Sequence, residues 1–445
     1  MTWIAPVVLF LLYLNVPAVA VRVHGAPFIL GALVPLALAI PIAHRVLVEG
    51  EKIRFPNMLI AAAIMLVLHA TSALVSARPG ESIDSLETWL IEGVLLALLV
   101  ANAIRTRAEL MNAVVAVVAA GAVMGAIALI QQILGTSENT MFGFGQLDAV
   151  ISDSGGRVQR RLAGPIGETN RFAQIMSVLI PIGAGCAATS KGRTRRLWWL
   201  ATGLISMGMV FAYSRGAVVA LGLALPFALF FRLVRFRHIA MSLVLAIVVL
   251  AALPQYADRV ISIGEVAMQS VGVGHVGLRN ADGASRGRMT EMKAAGMLFM
   301  DNPVLGAGPG LAPHYYGHYA GLVGGKVRPD DRRAHNLFLQ LAAETGVIGL
   351  GAFGLVVALA FRGLDRARRR LEKTDRQLWG IVCGLELALI VSLTTSLFLH
   401  AAYIRYFWLL IGLAAAATTH HGPPVLATLL ERMFRQTAAR IRADA

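Results

Sequence analysis

The segment Leu311–Gly354 decides how this chain is interpreted, and from Arg332 onward it reads RRAHNLFLQLAAETGVIGLGAFG. A charged, Gly/Pro-rich polar segment ends at Arg332, Arg333 and His335, and it continues directly into a hydrophobic helix that still carries Glu344. Ionisable groups at or inside a bilayer are energetically costly, so they are candidates for function. We therefore expect the chemistry where this polar segment meets the membrane.

Composition sets the class of the protein. The chain has 445 residues, of which 57% are hydrophobic, and its mean hydropathy is +0.68. Stretches of about 20 apolar residues span a bilayer as helices, and they are continuously apolar here, unlike the alternating strands of a membrane barrel. The sequence predicts an all-α polytopic membrane protein. Cys186 and Cys383 lie within apolar runs and are expected to be packing residues, without a disulfide or a metal site.

Hydropathy predicts about twelve transmembrane helices. The first is read as a retained span, because the N-terminus lacks the basic region of a signal peptide. The predicted spans are 3–21, 28–47, 57–76, 84–104, 108–134, 168–189, 196–212, 214–233, 238–253, 335–361, 377–400 and 403–419.

Basic residues give the orientation. The net charge of +15 is attributed to cytoplasmic loops, since no basic soluble module for nucleic acid is visible. With twelve spans, six basic segments fall on one side, and both termini are cytoplasmic; these segments are 45–54, 105–107, 191–196, 232–238, 362–376 and the tail.

The opposite side receives the large polar segments. Residues 1–253 are assigned to spans one to nine, with a short extracytoplasmic loop at 135–167. Residues 254–334 form one large loop between spans nine and ten, 335–419 hold spans ten to twelve, and 420–445 form a cytoplasmic tail. Within the large loop, Arg288–Phe299 is amphipathic; it either lies on the membrane surface or packs on a small core of the loop itself.

Several arginines on this side have two interpretations. Arg215 follows Tyr213 in a tight turn between two spans, where its side chain either reaches the headgroups or binds a phosphate. Arg161 precedes a helix start, a place that favours anions, although a helix cap with solvated arginines is the simpler alternative there. Arg286 and Arg288 open the amphipathic stretch, where most arginines are merely solvated.

His335 is the candidate for proton transfer. Histidine has an unperturbed pKa near neutrality, and this one lies beside two arginines and is followed by Asn336. Glu344 either orients these groups or pairs with a buried cation such as Arg405.

His314 and His318 have ligand-like spacing, but no carboxylate or cysteine completes a metal set, so no metal or cofactor is expected.

The motifs together resemble the O-antigen ligase / O-antigen polymerase superfamily, most of all the lipopolysaccharide O-antigen ligase. The resemblance covers roughly 160–355 and rests on three stretches, which are Tyr213–Gly216, Asn302–Gly308 and His335-Asn336 with Glu344-Thr345-Gly346. It implies a fold similar to the GT-C glycosyltransferases, located in the bacterial inner membrane with the active site facing the periplasm.

The resemblance also implies the reaction and its residues. A glycan carried on undecaprenyl diphosphate is transferred to lipid A–core without metal or nucleotide, and inversion at the anomeric carbon is expected. The catalytic residues carry over to Arg215, Arg288 and His335, with Arg161 as a further diphosphate-binding position. Tyr213, Asn336, Glu344 and Arg286 are possible supporting residues, Arg286 because it is the alternative match for the loop arginine.

Other functions remain open on the sequence. An O-antigen polymerase, which extends one lipid-linked glycan with another, shares the arginine-rich chemistry. A protein O-oligosaccharyltransferase and a twelve-span secondary transporter are the lesser alternatives. A transporter predicts repeats and polar groups at the bilayer midplane, whereas the polar groups here collect at one surface.

Overall fold

The computed structural model describes residues 2–135, 139–152, 158–234, 283–324, 332–399 and 405–419. The predicted ninth span at 238–253, the parts of the large loop at 254–282 and 325–331, and the tail at 420–445 lie outside the described residues.

The described chain is predominantly helical, as predicted. In chain order the helices are α1 Ile4–Tyr13, α2 Val16–His24, α3 Ile29–Leu36, α4 Ala39–Leu47, α5 Asn57–Val75, α6 Pro79–Thr88, a π-helix Trp89–Leu95, α7 Leu96–Ala103, α8 Arg107–Ile133, a 3-10 turn Met141–Gly143, α9 Thr169–Thr189, α10 Gly192–Phe211, α11 Arg215–Phe230, α12 Gly283–Asp301, α13 Ala312–Leu322, α14 Leu337–Thr374, α15 Arg376–Thr395 and α16 Arg405–Thr419.

Among these helices, five are long and apolar enough to cross a membrane, or up to seven if each of two bent pairs counts as one span. The bent pairs are α1 with α2, at 49°, and α3 with α4, at 41°. The chain is thus a helical multi-pass protein by length and composition, while the predicted number of twelve spans is not confirmed. Hydropathy does not reveal bends or short helices. These features account for part of the difference between the predicted and the observed number of spans.

The predicted loop at 135–167 contains a β-hairpin that the sequence reading did not anticipate. β1 Gln146–Ser152 pairs antiparallel with β2 Val158–Gly164, with Val150 opposite Arg160. Asp148 on β1 accepts hydrogen bonds from the backbone N–H and the hydroxyl of Thr169, at 3.0 and 2.8 Å. A carboxylate in this position caps the free N–H groups at the start of α9. The hairpin therefore fixes where α9 begins.

The core is a bundle in which α9 packs against α15 and α10, and α5 packs against α14. Small residues allow the closest approach, since a Cβ added to Gly185 would lie 2.2 Å from the carbonyl oxygen of Gly380. Such small-residue contacts are typical of membrane helices, where backbones pack closely. Cys186 and Cys383 are buried and free.

The polar segment before α14 is tied to that helix by backbone hydrogen bonds. Ala307 and Gly308 donate to the carbonyls of Ala343 and Glu344, each at 2.9 Å, and Val347 donates back to Pro303 at 2.9 Å. This pairing is possible because α14 is broken at Gly346, which has φ 65°. The Asn302–Gly308 motif is therefore a docking segment that holds the polar region against the start of α14.

One face of α12 packs in the small core that the sequence offered as one of two alternatives. Ala294 and Leu298 of α12 are buried with Tyr316 and Tyr319 of α13 and with Ala343 of α14. The Tyr319 hydroxyl donates to Asp301 at 2.6 Å, and burial together with this contact raises the pKa of Tyr319 to about 12. Two of the tyrosines in this segment are therefore core residues.

Candidate functional site

The site end of the bundle is where α9, α11 and α14 begin and where α10 and α15 end. Gln174 of α9 donates to the Thr395 hydroxyl of α15 at 2.8 Å. The backbone N–H of Leu337, the first residue of α14, donates to Ser396 O at 2.9 Å. These contacts bring to one place the helix ends that flank Arg215 and His335.

The turn between α10 and α11 presents Arg215 in the first turn of α11. Tyr213 occupies the left-handed region at φ 51° and its side chain is buried at 1% exposure. Non-glycine residues rarely adopt this conformation, and the surrounding structure must impose it. A Cβ at Gly216 would approach Phe398 at 3.3 Å, so a small residue suits the packing beside Arg215.

Arg161 holds this turn from the hairpin. Its Nε and Nη2 donate to the carbonyl of Ala212 at 3.0 and 2.8 Å, and Nη2 also reaches Asn170 Oδ1 at 3.1 Å. The Ala212 carbonyl belongs to the C-terminal end of α10, where unpaired carbonyls favour a cation. The structure therefore places the predicted diphosphate ligand Arg161 against the backbone that presents Arg215. Direct contact of Arg161 with a phosphate stays a prediction.

His335 immediately precedes α14 and also has a left-handed backbone, with φ 44°. Its Nδ1 lies 2.8 Å from Glu291 Oε2 and 3.1 Å from the Arg333 carbonyl oxygen. Both neighbours are acceptors, so the neutral ring is expected to carry its proton on Nδ1 and its lone pair on Nε2. Asn336 caps α14 by accepting from Leu339 N at 3.0 Å, which fixes the chain direction next to the imidazole.

Glu291 is the residue that sequence reasoning missed. It lies on α12, is 2% exposed, and contacts Arg332 Nη1 at 3.3 Å in addition to His335. Burial alone would raise the pKa of Glu291, but the hydrogen bonds and charges of His335 and Arg332 outweigh burial and hold this pKa below its usual value. A buried anion therefore lies against the imidazole. Its sequence signal was only a position three residues after Arg288, inside a stretch interpreted as amphipathic.

Arg288 lies one helical turn before Glu291 on α12. Burial and the positive charge of Arg215 lower the pKa of Arg288, and the charges of Glu291 and Glu168 partly offset this effect. Arginine keeps its proton in proteins even so. The guanidinium groups of Arg215 and Arg288 repel each other, and a bound dianion would reduce that repulsion.

Arg171 is a further arginine in this part of the chain. Arg171 on α9 pairs with Glu168, with the two charged atoms 2.6 Å apart, and the positive charges of Arg333 and Arg22 act on it. The positive charges of Arg22 and Arg333 thus act on Arg171, as that of Arg215 acts on Arg288.

The family comparison follows the same stretch of chain. The protein-family model described as O-antigen ligase matches residues 200–354. This segment is therefore similar to the O-antigen ligase / O-antigen polymerase superfamily. The match spans Arg215, Arg288 and His335, and it confirms the resemblance inferred from the motifs. No curated protein matches the chain.

The match over this segment supports an enzyme of the O-antigen ligase or polymerase type that acts on polysaccharide and lipid-linked substrates in a membrane. The other residues named from the sequence have different surroundings. Glu344 is fully buried below it and accepts from Gln340 Nε2 at 3.0 Å. Arg405, which the sequence offered as its partner, lies in an ion pair with Glu92 at 3.5 Å. The side chain of Arg286 lies outside the described residues.

Proposed function

We propose that this protein is an O-antigen ligase. It transfers a glycan from undecaprenyl diphosphate to lipid A–core at the periplasmic face of the bacterial inner membrane, without a metal ion. The observation that supports this most is the contact of the buried Glu291 carboxylate with His335 at 2.8 Å, on the helix that also carries Arg288, on which the positive charge of Arg215 acts. In this proposal the two arginines bind the diphosphate and His335 accepts the proton.

The two arginines act on the leaving group. The donor already carries a diphosphate, so the enzyme has to stabilise the negative charge that grows as the bond between the anomeric carbon and the phosphate oxygen breaks. Arg215 and Arg288 supply positive charge where water is partly excluded, and such electrostatic stabilisation is commonly the largest catalytic contribution. Arg161 contributes by holding the Ala212 carbonyl and thereby the turn that carries Arg215.

His335 acts on the acceptor. With the proton of the neutral ring on Nδ1, Nε2 accepts the proton of the sugar hydroxyl while that oxygen bonds to the anomeric carbon. The lipid diphosphate leaves from the opposite face, so a single displacement inverts the configuration. Glu291 stabilises the imidazolium that forms, and a base of this kind contributes about 10²–10⁴-fold.

Reconstitution tests the proposal. Purified protein in liposomes receives glycan-linked undecaprenyl diphosphate and lipid A–core, with chelator present and no nucleotide. We expect glycan-capped lipid A–core on a gel, with the new linkage inverted by NMR. Replacing Arg215 or His335 by Ala should abolish transfer. The matched changes Arg369→Ala and His44→Ala, whose side chains pair with Asp365 and Glu49, should leave it intact.

The outcomes separate the candidate functions. A donor glycan that lengthens on its own lipid, with no transfer to lipid A–core, would identify a polymerase. Modification of a Ser or Thr side chain would identify a protein O-oligosaccharyltransferase. Full ligation by both the Arg215 and His335 variants would contradict the proposed site, and retained configuration would contradict the single displacement.

A further inference from the structure

Helix α13 presents two histidines on an open face. His314 and His318 are both exposed, and they lie one helical turn apart. Gly317 and Gly321 lie on the same face, and a Cβ added to either glycine meets no atom within 4 Å. In the part of the chain that the structure describes, no residue therefore covers this face.

The two imidazoles have the same local setting. The ring centre of His314 lies 5.4 Å from that of Tyr315 at 81°, and the ring centre of His318 lies 5.0 Å from that of Tyr319 at 85°. Each tyrosine thus limits the rotation of the imidazole that precedes it. Among the described residues, neither imidazole has a hydrogen bond or an ion pair, so each neutral ring has one nitrogen that can bind a metal ion.

The spacing of the pair suits a transition-metal ion. Cβ atoms four residues apart on a helix are about 5–6 Å apart, and two histidines with this spacing on a helix hold zinc in metalloproteases. Imidazole binds Cu²⁺, Ni²⁺ and Zn²⁺ well, whereas Mg²⁺ and Ca²⁺ prefer oxygen ligands. The described residues hold no group of three or more His, Cys, Asp or Glu that could bind a metal ion. Water therefore completes the coordination of an ion bound to this pair.

The charges near the pair favour a cation. α13 contains no lysine or arginine. The exposed carboxylate of Asp301 accepts a hydrogen bond at 2.6 Å from the hydroxyl of Tyr319, whose ring contacts His318. A negative charge close to an imidazole attracts a divalent ion. The surroundings of this pair thus differ from those of His335, which adjoins two arginines in sequence.

α13 is a helix with little intrinsic stability. It has 11 residues, and isolated helices shorter than about 12–15 residues are marginal in water. Gly317 and Gly321 weaken it further, because glycine is a poor helix former. Tyr316 and Tyr319 pack this helix on α12, which carries Glu291. An ion that joins the two histidines closes one turn of the helix, so metal binding and helix formation stabilise each other.

We propose that His314 and His318 bind a divalent transition-metal ion, which stabilises α13 and its packing on α12. The ion is structural and takes no part in glycan transfer. This inference therefore does not depend on the proposed function.

Titration of the tag-free protein with metal ions tests the proposal. Isothermal calorimetry with ZnCl₂, CuCl₂ and MgCl₂ compares the unchanged protein with the double variant His314→Gln/His318→Gln. The other histidines are present in both proteins, so the difference between them reports this pair alone. We expect the unchanged protein to bind one more Zn²⁺ or Cu²⁺ ion than the double variant, with Cu²⁺ the more tightly bound, and Mg²⁺ to give no difference.

His44→Gln is the matched control, because it removes the single histidine of α4. It should bind Zn²⁺ as the unchanged protein does. Equal binding of Zn²⁺ and Cu²⁺ by the double variant and the unchanged protein would overturn the proposal.

A further variant separates chelation from the number of histidines on this face. His318→Gln combined with Gly321→His keeps two imidazoles on the face but separates them by seven residues, about 10 Å along the helix axis. One ion cannot reach both. We expect this variant to bind Zn²⁺ at least about tenfold more weakly than the unchanged protein, because attachment at two points becomes attachment at one. An affinity equal to that of the unchanged protein would refute chelation by the pair.

Hydrogen exchange measures the effect on the helix. Zn²⁺ should slow amide exchange within α13 of the unchanged protein, because the closed turn opens less often, and it should have no such effect on the double variant. Exchange in α13 that stays the same with Zn²⁺ bound would contradict the stabilising role of the ion. Neither measurement needs a lipid substrate, so both results hold whether or not the protein proves to be a ligase.

Discussion

At the scale of the residue, the arrangement around His335 depends on which ring nitrogen carries the proton. Nδ1 lies beside Glu291 and the Arg333 carbonyl, so the neutral ring is expected to have its lone pair on Nε2. The left-handed backbone at His335 and at Tyr213 shows that both stretches of the motif are held in conformations that neighbouring contacts must maintain. Strain of this kind tends to occur at functional sites.

Replacing Glu291 by Gln tests whether the carboxylate positions and charges the imidazole. We expect kcat to fall by about 10–100-fold, in line with the loss of a group that orients a functional histidine, with little change in KM.

The control for Glu291 is Asp301→Asn, which neutralises another carboxylate of α12, the exposed one that accepts a hydrogen bond from Tyr319. That variant should keep the kcat of the unchanged protein. A Glu291→Gln enzyme with an unchanged kcat, or one in which a raised KM accounts for the whole loss, would contradict the positioning role of the carboxylate.

At the scale of the element, the break in α14 determines where the polar segment docks. Gly346 has φ 65°, and a Cβ there would lie 2.1 Å from the carbonyl oxygen of Val304. Ser72 of α5 strengthens the same junction by donating to Leu305 O at 2.6 Å. The helix and the docking segment therefore form one unit, with His335 at its start.

Replacing Gly346 by Ala should separate the two parts of this unit. The strained backbone costs roughly 1–3 kcal/mol, and the overlap with Val304 adds to it. We expect a lower midpoint of thermal unfolding in detergent together with loss of transfer. Gly354→Ala on the same helix, where an added Cβ meets nothing within 4 Å, should leave both unchanged. An unaltered midpoint for Gly346→Ala would refute the role assigned to the break.

At the scale of the whole molecule, charges separate into two groups. The site end carries the arginines that face His335, whereas the opposite end, where α8 begins and α14 ends, holds ion pairs that link helix ends. These pairs are Arg45 with Glu109, Arg105 with Glu51, Arg107 with Asp375, and Arg368 with Asp365 and Glu386. Three of the basic segments that hydropathy assigned to one side thus meet at one end of the bundle.

Asp375 joins α8 to the junction of α14 and α15 and also caps α15 through Gln377 N and Leu378 N, both at 3.1 Å. The hydrogen bond from Arg107 lowers the pKa of Asp375, burial opposes this, and the backbone N–H groups assist. A carboxyl whose pKa is depressed on folding stabilises the protein above its unfolded pKa of about 3.9. That stabilisation is lost as the pH falls through the lower, folded value.

The Asp375→Ala variant should therefore lose about 0.5–2 kcal/mol at neutral pH, mainly through the cap, since exposed ion pairs contribute little. Its unfolding midpoint should converge with that of the unchanged protein as the pH is lowered below 4. Glu372→Ala, at an exposed position nearby, serves as the control and should not show this convergence. Two curves that stay parallel over the whole pH range would contradict the assignment.

The sequence by itself determined the class of the protein and the superfamily that the segment 200–354 resembles. Long apolar runs require helices in a bilayer, because backbone polar groups must be satisfied within the segment. The Tyr213–Gly216 and His335-Asn336 motifs, with the docking segment between them, were sufficient to indicate the superfamily that the comparison then supported.

Only the tertiary structure decided what these groups touch. Glu291 contacts His335 from 44 positions away in sequence, and Arg161 reaches the Ala212 carbonyl across 51 positions, by way of a hairpin that hydropathy does not reveal. Hydropathy reports how much apolar surface each stretch must bury. It does not report which helix ends meet, because that depends on small-residue packing, bends and caps that act between distant parts of the chain.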